Sequence, residues 1–337
     1  MAVEITATGS YVSEKTLTND ELSMIVDTSD EWIYSHTGIR SRHIAREDDA
    51  ASDLAYYAAM NALRALNPEH PEQETESIAL IVVATASSDY IGFPSVACIV
   101  QDRIGARNAA AFDIAAGCSG FVYALDTAVC MMSAGERKRA LVIGTEVLSR
   151  LTDWTDRNTC ILFGDGAGAV ILELTQGETQ GARHSGVVRS VLGADGAGAD
   201  KLIVRRGGTR APFISGETVG EPPHIEMDGH AVYLFAVNAV TRTIQLLLER
   251  EGLAMENVKR IIPHQANERI IEAAAKRLGI STDIFFLNME KYANTSAASV
   301  PVALDELVRS GGLEKGDIII TLGFGAGLTY GGNLIVW

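Results

Sequence analysis

Three short stretches carry side chains suited to nucleophilic acyl chemistry. Phe112 to Ala116 is an apolar run ending in small residues, and Gly120 to Met132 carries apolar residues at helical spacing. Gly117-Cys118-Ser119 is therefore expected at a strand-to-helix turn. There the backbone N–H groups and the helix macrodipole lower a thiol pKa and favour the thiolate, which is the nucleophile. The glycines on either side leave room for a substrate carbonyl. The blander reading is packing, because cysteine is among the most buried residue types. His264, in Arg260-Ile261-Ile262-Pro263-His264-Gln265-Ala266-Asn267, falls just past a strand and ahead of a helix. Asn294, in Lys291-Tyr292-Ala293-Asn294-Thr295-Ser296, lies in a third such turn. Alone, either is more often a cap or turn residue. At strand ends of a repeated α/β fold, all three can converge on one site.

The elements that must position them alternate in type. Val3 to Thr8 reads as a strand, Thr18 caps one helix, and the stretch from Thr28 starts another that Gly38 closes. Ala50 to Leu66 is helical. Ser77 to Ala86 is a continuous apolar run of the kind buried on both faces of a parallel sheet. Pro94 to Ile104 reads as a helix, Arg139 to Gly144 as a buried strand, and Thr159 to Leu174 as two antiparallel strands joined through glycines. Residues 175–225 are polar and rich in glycine, including Gly181, and read as strands and surface loops. A long amphipathic helix over Gly229 to Glu251 follows, then a strand over Val258 to Pro263 and a helix over Asn267 to Leu278. A small-residue turn at Asn294 to Ser299, a helix over Pro301 to Ser310 and a strand over Asp317 to Leu322 complete the chain. A G-x-G-A-G turn occurs twice, at Gly164 to Gly168 and Gly323 to Gly327, which suggests two similar α/β halves, 1–174 and 175–337. As phosphate loops both copies are poor, because they lead into β-branched strands rather than opening helices.

With 337 residues, 47% hydrophobic and 21% charged, the chain can bury a large core. No run is read as a membrane span, and the N-terminus lacks a basic start followed by an apolar stretch, so a cytoplasmic location is expected. A net charge of −15 opposes binding to nucleic acid or an anionic membrane. Cys98, Cys118, Cys130 and Cys160 form no C-x-x-C pair and read as reduced thiols, with neither a disulfide framework nor a metal site.

Several motifs in order, T-S-D-E-W-I…T-G-I-R (Thr28 to Arg40), F-G-D-G-A-G (Phe163 to Gly168), P-H-Q-A-N (Pro263 to Asn267), N-T-S-A-A-S (Asn294 to Ser299) and G-F-G-A-G-L-T-Y-G (Gly323 to Gly331), join the segment around Cys118 in one resemblance. Together they resemble β-ketoacyl-[acyl carrier protein] synthase III, the initiating condensing enzymes of type II fatty-acid synthesis, from about residue 2 to residue 337. The resemblance implies an α/β, thiolase-like fold of five layers, αβαβα, in two similar halves, usually as a homodimer.

It also implies roles. Cys118 attacks an acyl-CoA thioester and holds the acyl group. Malonyl-carrier protein then loses CO2, and His264 and Asn294 stabilise the enolate that condenses with the acyl group. Backbone N–H groups of Cys118 and Ala326 are candidates for an oxyanion hole. Trp32 and Arg157 match the pair that sandwiches the CoA adenine. Thr37, Gly229 and Asn267 match CoA contacts, and Phe93 matches a residue that reaches across the dimer into the partner's acyl pocket. Arg269, Lys276 and Arg277 form a basic cluster for an acidic acyl carrier protein. Acyl-CoA is a substrate, and no cofactor is bound permanently. His36 stands where the family commonly has Arg, and Leu234 where a docking Lys is frequent; Ser88 to Gly92 and Gly207 to Pro223 look longer than in a minimal member.

A thiolase needs a second cysteine in the C-terminal glycine turn, and this chain has none after Cys160. A relative from secondary metabolism with an unusual starter, or a catalytically dead carrier-binding module, are the other readings. The presence of Cys118, His264 and Asn294 together disfavours the second.

Overall fold

The computed structural model describes residues 1–176, 179–180, 183–213 and 222–337. Gly181 and the 214–221 part of the Gly207 to Pro223 loop lie outside the described residues.

The first half supplies β1 (Ala2–Tyr11), α1 (Asp30–Thr37), α2 (Ala51–Leu66), β2 (Leu80–Ala84) and α3 (Val96–Ile104). It continues with β3 (Ala110–Ile114), α4 (Gly120–Ser133), β4 (Arg139–Glu146) and β5 (Gly166–Thr175). Its five strands lie in the order β1-β5-β4-β2-β3. The pairs β4/β2 and β2/β3 are parallel, whereas β1/β5 and β5/β4 are antiparallel. The second half supplies β6 (Gly186–Ala194), β7 (Leu202–Val204), β8 (Ile225–Met227), α5 (Gly229–Glu251) and β9 (Val258–Pro263). It ends with α6 (Glu268–Leu278), α7 (Ser299–Arg309), β10 (Ile318–Gly325) and β11 (Thr329–Val336). Here the order is β6-β11-β10-β9, again parallel at one edge and antiparallel at the other.

Burial on both faces explains the apolar runs. In β2, Ile81 and Val83 pack outward under α2 and α3, while Leu80, Val82 and Ala84 point inward. Period-two alternation thus sends apolar side chains to two different cores. The inward set meets Phe121 and Leu125 of α4, Leu304 and Leu307 of α7, and Ile319 and Ile335 of the second sheet. On the far side of that sheet, Ala236, Val240 and Leu247 of α5 and Ile270, Ile271 and Ala274 of α6 cover Ile261, Ile320 and Leu334. Helix pair, sheet, helix pair, sheet, helix pair is the five-layered thiolase-like arrangement.

The two central helix starts cross over. A β-carbon on Gly144 of β4 would run into the carbonyl of Ala297, just before α7. One on Gly323 of β10 would lie 2.8 Å from the Cα of Ser119, just before α4. Gly144 pairs with Gly168 and Gly323 with Gly331, at matching places in the two sheets. This is the repeat that relates the halves. The two G-x-G-A-G copies are not its equivalent points, since the first enters β5 and the second ends β10.

Two further expectations are corrected. Thr159 to Phe163 is a series of turns and not a strand. It is held instead by Arg42, whose Nη2 donates to the Ile161 carbonyl (2.9 Å), and by Asp165, which accepts from Ala45 N (2.7 Å) and Ser149 Oγ (2.6 Å). By length and composition α5 is long and apolar enough to cross a membrane, against the expectation of no such run. Its apolar face is the one packed on the second sheet.

Candidate active site

Cys118 lies at the turn read from the sequence, between β3 and α4, and is 7% exposed. Two cavities meet at it. One, of about 240 Å³, is lined by His264, Asn294 and Phe324 at depth and by Thr37, Gly229 and Asn267. The other, of about 310 Å³, is walled by Leu148, Leu151, Phe163, Leu202 and Ile225, with Ser296 and Ala326 beside the sulfur. The short strands β7 and β8 pair with each other and roof this apolar cavity.

The turn is glycine-dependent in two ways. Gly117 has φ +51°, a left-handed conformation open to glycine, and a β-carbon on it would touch the Ala326 side chain at 3.0 Å. Gly325 leaves the space that Cys118 fills.

The thiol is not activated as the helix position alone suggests. Burial pushes it up to about 11, and the neighbouring Glu146 charge adds to this. The nearby Ser296 side chain and the backbone N–H groups of Ala326 and Cys118 act in the opposite direction. Desolvation penalises the charged form and here outweighs the helix terminus. Those two N–H groups are the ones the resemblance offers as candidates for an oxyanion hole.

His264 is 1% exposed, and burial lowers it to about 3, so the imidazole is neutral at physiological pH. Its backbone N–H donates to Leu322 O (2.7 Å), and its ring stands edge-on to Phe324 with centroids 5.1 Å apart. Nδ1 lies 2.7 Å from Ser299 Oγ, a hydroxyl that also lies 2.8 Å from the Ser296 carbonyl. As placed, the Ser299 hydroxyl donates its single proton to the Ser296 carbonyl; turned to Nδ1 instead, that proton leaves the ring proton on Nε2, where it can be donated.

Asn294 accepts from Ser296 N on its Oδ1 (2.9 Å), which leaves its amide N–H groups as donors. Flanking Ala293 (φ 56°) and Ser296 (φ 46°) are non-glycine residues in the left-handed region. Such strain persists where surrounding structure over-determines it, and it clusters at functional sites. The Phe163–Asn294 bridge, with Asn294 N to Leu162 O at 2.9 Å, ties this turn to the one Arg42 holds.

The remaining expected residues divide. Thr37, Gly229 and Asn267 line the same cavity as Cys118, and Asn267 caps α6 while its Nδ2 donates to His36 O (3.0 Å). Trp32 and Arg157 do not stand apart: the guanidinium lies 4.2 Å over the indole, and His36 stacks on the same ring at 4.4 Å. The slot expected between them is closed. Phe93 is 86% exposed and lines neither cavity of its own chain. Arg269, Lys276 and Arg277 are exposed on α6, and the two arginines bond to the Ser35 carbonyl (2.8 Å) and the Asn238 amide oxygen. Leu234, on neighbouring α5, is 50% exposed. All four cysteines are free, Cys98 and Cys130 at the surface.

Sequence reasoning missed Glu146, Ser296 and Ser299. Glu146 is an acid ending an apolar strand, a place where α/β sheets present functional groups. Ser296 and Ser299 stood inside the N-T-S-A-A-S motif without a role.

Residues 112–196 match the family model described as 3-oxoacyl-[acyl-carrier-protein (ACP)] synthase III, and residues 248–337 match the model of its C-terminal part. The β-ketoacyl-[acyl-carrier-protein] synthase III of Clostridium acetobutylicum is 48% identical over 336 residues, covering 100% of this chain and 99% of the relative. The crystal structure of the Aquifex aeolicus synthase III covers 100% of both chains with TM-score 0.88 at 40% identity. The priming β-ketosynthase of the R1128 polyketide pathway reaches TM-score 0.89 at 34% identity, over 99% of this chain and 96% of that one. Likeness of this extent over the whole length makes this chain a member of the 3-oxoacyl-[acyl-carrier-protein] synthase III family, acyl-transferring condensing enzymes that initiate fatty-acid synthesis.

Proposed function

We propose that the chain condenses a short acyl-CoA, acetyl-CoA or a homologue, with malonyl-[acyl carrier protein] in a ping-pong cycle through acyl-Cys118, and so starts a fatty-acid chain. The observation that carries this reading is the position of the sulfur where the two cavities meet. The thioester enters past Thr37, Gly229 and Asn267, its carbonyl oxygen is held by the N–H groups of Cys118 and Ala326, and the acyl chain enters the apolar cavity. CoA then leaves and malonyl-carrier protein takes its place. Loss of CO2 places negative charge on the malonyl thioester oxygen, where the His264 Nε2–H and an Asn294 amide N–H stabilise it. The enolate carbon attacks the Cys118 thioester, and collapse of the tetrahedral intermediate breaks the C–S bond, giving 3-oxoacyl-carrier protein and the Cys118 thiolate.

The neutral imidazole supports this assignment, because a ring lowered to about 3 by burial suits hydrogen-bond donation better than proton uptake. The exposed Phe93 supports a homodimer in which it enters the partner's acyl pocket. The basic residues of α6 support docking of an acidic carrier. In this reading the halves 1–174 and 175–337 each contribute one sheet, the setting is the cytoplasm, and no resident cofactor takes part.

The test is intact-mass analysis after exposure to acetyl-, branched and aromatic acyl-CoAs. One acyl adduct that disappears in Cys118→Ala is expected, and the acyl-CoA that reacts fastest identifies the starter. An unmodified wild-type chain with every acyl-CoA would overturn the reading.

A further inference from the structure

Glu146 ends β4 with its side chain wholly buried. Its carboxylate accepts from Ala86 N (3.1 Å to each oxygen), Ser87 Oγ (2.6 Å), Thr85 Oγ1 (3.3 Å) and Ala297 N (3.4 Å). Among the described residues no Lys, Arg or His bonds to it. A buried carboxylate without a cation is costly, and where it borders a reacting group it is a candidate for function. Ser296 lines the apolar cavity together with Cys118, and the N–H of the adjacent Ala297 reaches the carboxylate, so the Ser296 hydroxyl stands between acid and thiol and lowers the pKa of both. Ser296 is itself 3% exposed and is fixed in its left-handed conformation by the bond from its N–H to Asn294 Oδ1.

We propose that Glu146 accepts the Cys118 proton through the Ser296 hydroxyl and keeps it while the acyl group occupies the sulfur. This rests on Cys118 being the acylated nucleophile. The Cys118 S–H bond breaks and its proton binds the Ser296 oxygen, whose own proton passes to Glu146; the electron pair stays on sulfur and attacks the thioester. CoA departs as a thiolate and takes a proton from solvent. After condensation, Cys118 leaves the tetrahedral intermediate as thiolate, and the proton returns from Glu146 through Ser296. Thiol and carboxylate are restored, and the one solvent proton consumed per turnover is the one on CoA.

Other groups fit the role less well. The His264 Nδ1 is engaged with Ser299, and burial holds the ring near 3. Burial raises Glu146 to about 7, within reach of a proton at working pH. Cys118, Glu146 and His264 are the titratable groups at the sulfur, and Glu146 supplies the charge acting on Cys118.

The experiment compares single-turnover acylation of wild type, Glu146→Gln, Glu146→Asp and Ser296→Ala across pH, by intact mass. Acylation should fall by about 10²-fold or more in Glu146→Gln and Ser296→Ala, the scale of general acid–base catalysis. The rise in rate through pH 7 should vanish, and Glu146→Asp should restore part of it. A role through charge alone predicts the opposite, because removing an anion beside a thiol eases its ionisation. A rate in Glu146→Gln equal to or above wild type therefore overturns the relay. Infrared difference spectra of the wild-type acyl-enzyme supply a second readout: a new carboxylic-acid C=O band, missing in Glu146→Gln, is expected, and its absence in wild type overturns the proposal. If Glu146→Gln does not fold, Ser296→Ala and the wild-type spectrum decide. Failure of wild type to acylate at all would instead remove the function proposed above.

Discussion

Gly325 and Cys118 share a volume that holds one side chain. A β-carbon on Gly325 would lie 2.7 Å from Cys118 Cβ and 2.9 Å from its sulfur. Gly325→Ala must therefore push the nucleophile or bend the end of β10. Overpacking of this kind costs about 1–3 kcal/mol, and the larger consequence is a displaced sulfur. We expect a folded protein with a lowered Tm whose acylation is slowed at least as much as its stability is affected; acylation at the wild-type rate would show that the sulfur does not need this space.

The half-reactions should separate. Cys118→Ala should abolish acyl-enzyme formation yet keep measurable decarboxylation of malonyl-carrier protein. His264→Ala and Asn294→Ala should still take an acyl group but lose on the order of 10²–10³-fold in CO2 release, the effect of removing one oxyanion donor. Acyl-enzyme mass and CO2 release for each variant provide the check. Equal loss of both half-reactions in His264→Ala would make the imidazole the thiol's base.

Two buried groups impose opposite pH dependences on stability. Glu146 is raised from 4.5 to about 7 in the folded chain. The folded state thus binds the extra proton between these values, and the associated stability is present at low pH and lost as pH rises through about 7. Glu146→Gln should lack this decline, so its Tm relative to wild type should improve by several degrees between pH 5 and 8. His264 is lowered from 6.5 to about 3. There the unfolded state binds the extra proton, and stability is lost as pH falls below 6.5; His264→Gln should flatten that acid limb in the same thermal scans.

With Trp32 and Arg157 closed on each other, the proposed binding of the CoA adenine there requires an exchange of partners. Trp32→Ala removes the platform, worth about 1–2 kcal/mol by ring–cation stacking, and should raise the KM for acyl-CoA roughly 5- to 30-fold. The same variant should use an acyl-pantetheine, which lacks the adenine, at the wild-type KM. Equal loss with both substrates would place the effect elsewhere.

Reversing Lys276 and Arg277 to Glu should raise the KM for malonyl-carrier protein and weaken its salt dependence, since rim charges act mainly on association. Acylation by acyl-CoA should change little. A uniform loss in both half-reactions would argue for a structural role of α6.

Local pattern made much of this legible. The 23 residues of α5 were bounded correctly from Gly229 to Glu251, because an amphipathic period ends at a glycine. The turns holding Cys118, His264 and Asn294 could be read because strand and helix signals meet there. Thr159 to Phe163 could not: its β-branched and apolar residues have strand propensity, but Arg42, more than a hundred residues earlier, claims the Ile161 carbonyl. The thiol shows the same limit. Its helix terminus is a local fact, whereas its burial comes from Gly325 and Ala326, some two hundred residues away. Glu146 and Ser296, 150 positions apart, became a pair only when the two halves closed.

The reciprocal seating of Ala297 on Gly144 and Ser119 on Gly323 makes catalytic competence a property of the seam. A hybrid that joins the first 174 residues to the remainder of a relative keeps its nucleophile but borrows the ground on which it stands. Recombination between homologues should therefore succeed only where the four contact positions travel together, and a bulkier residue at either glycine demands an answering change in the other half of the gene.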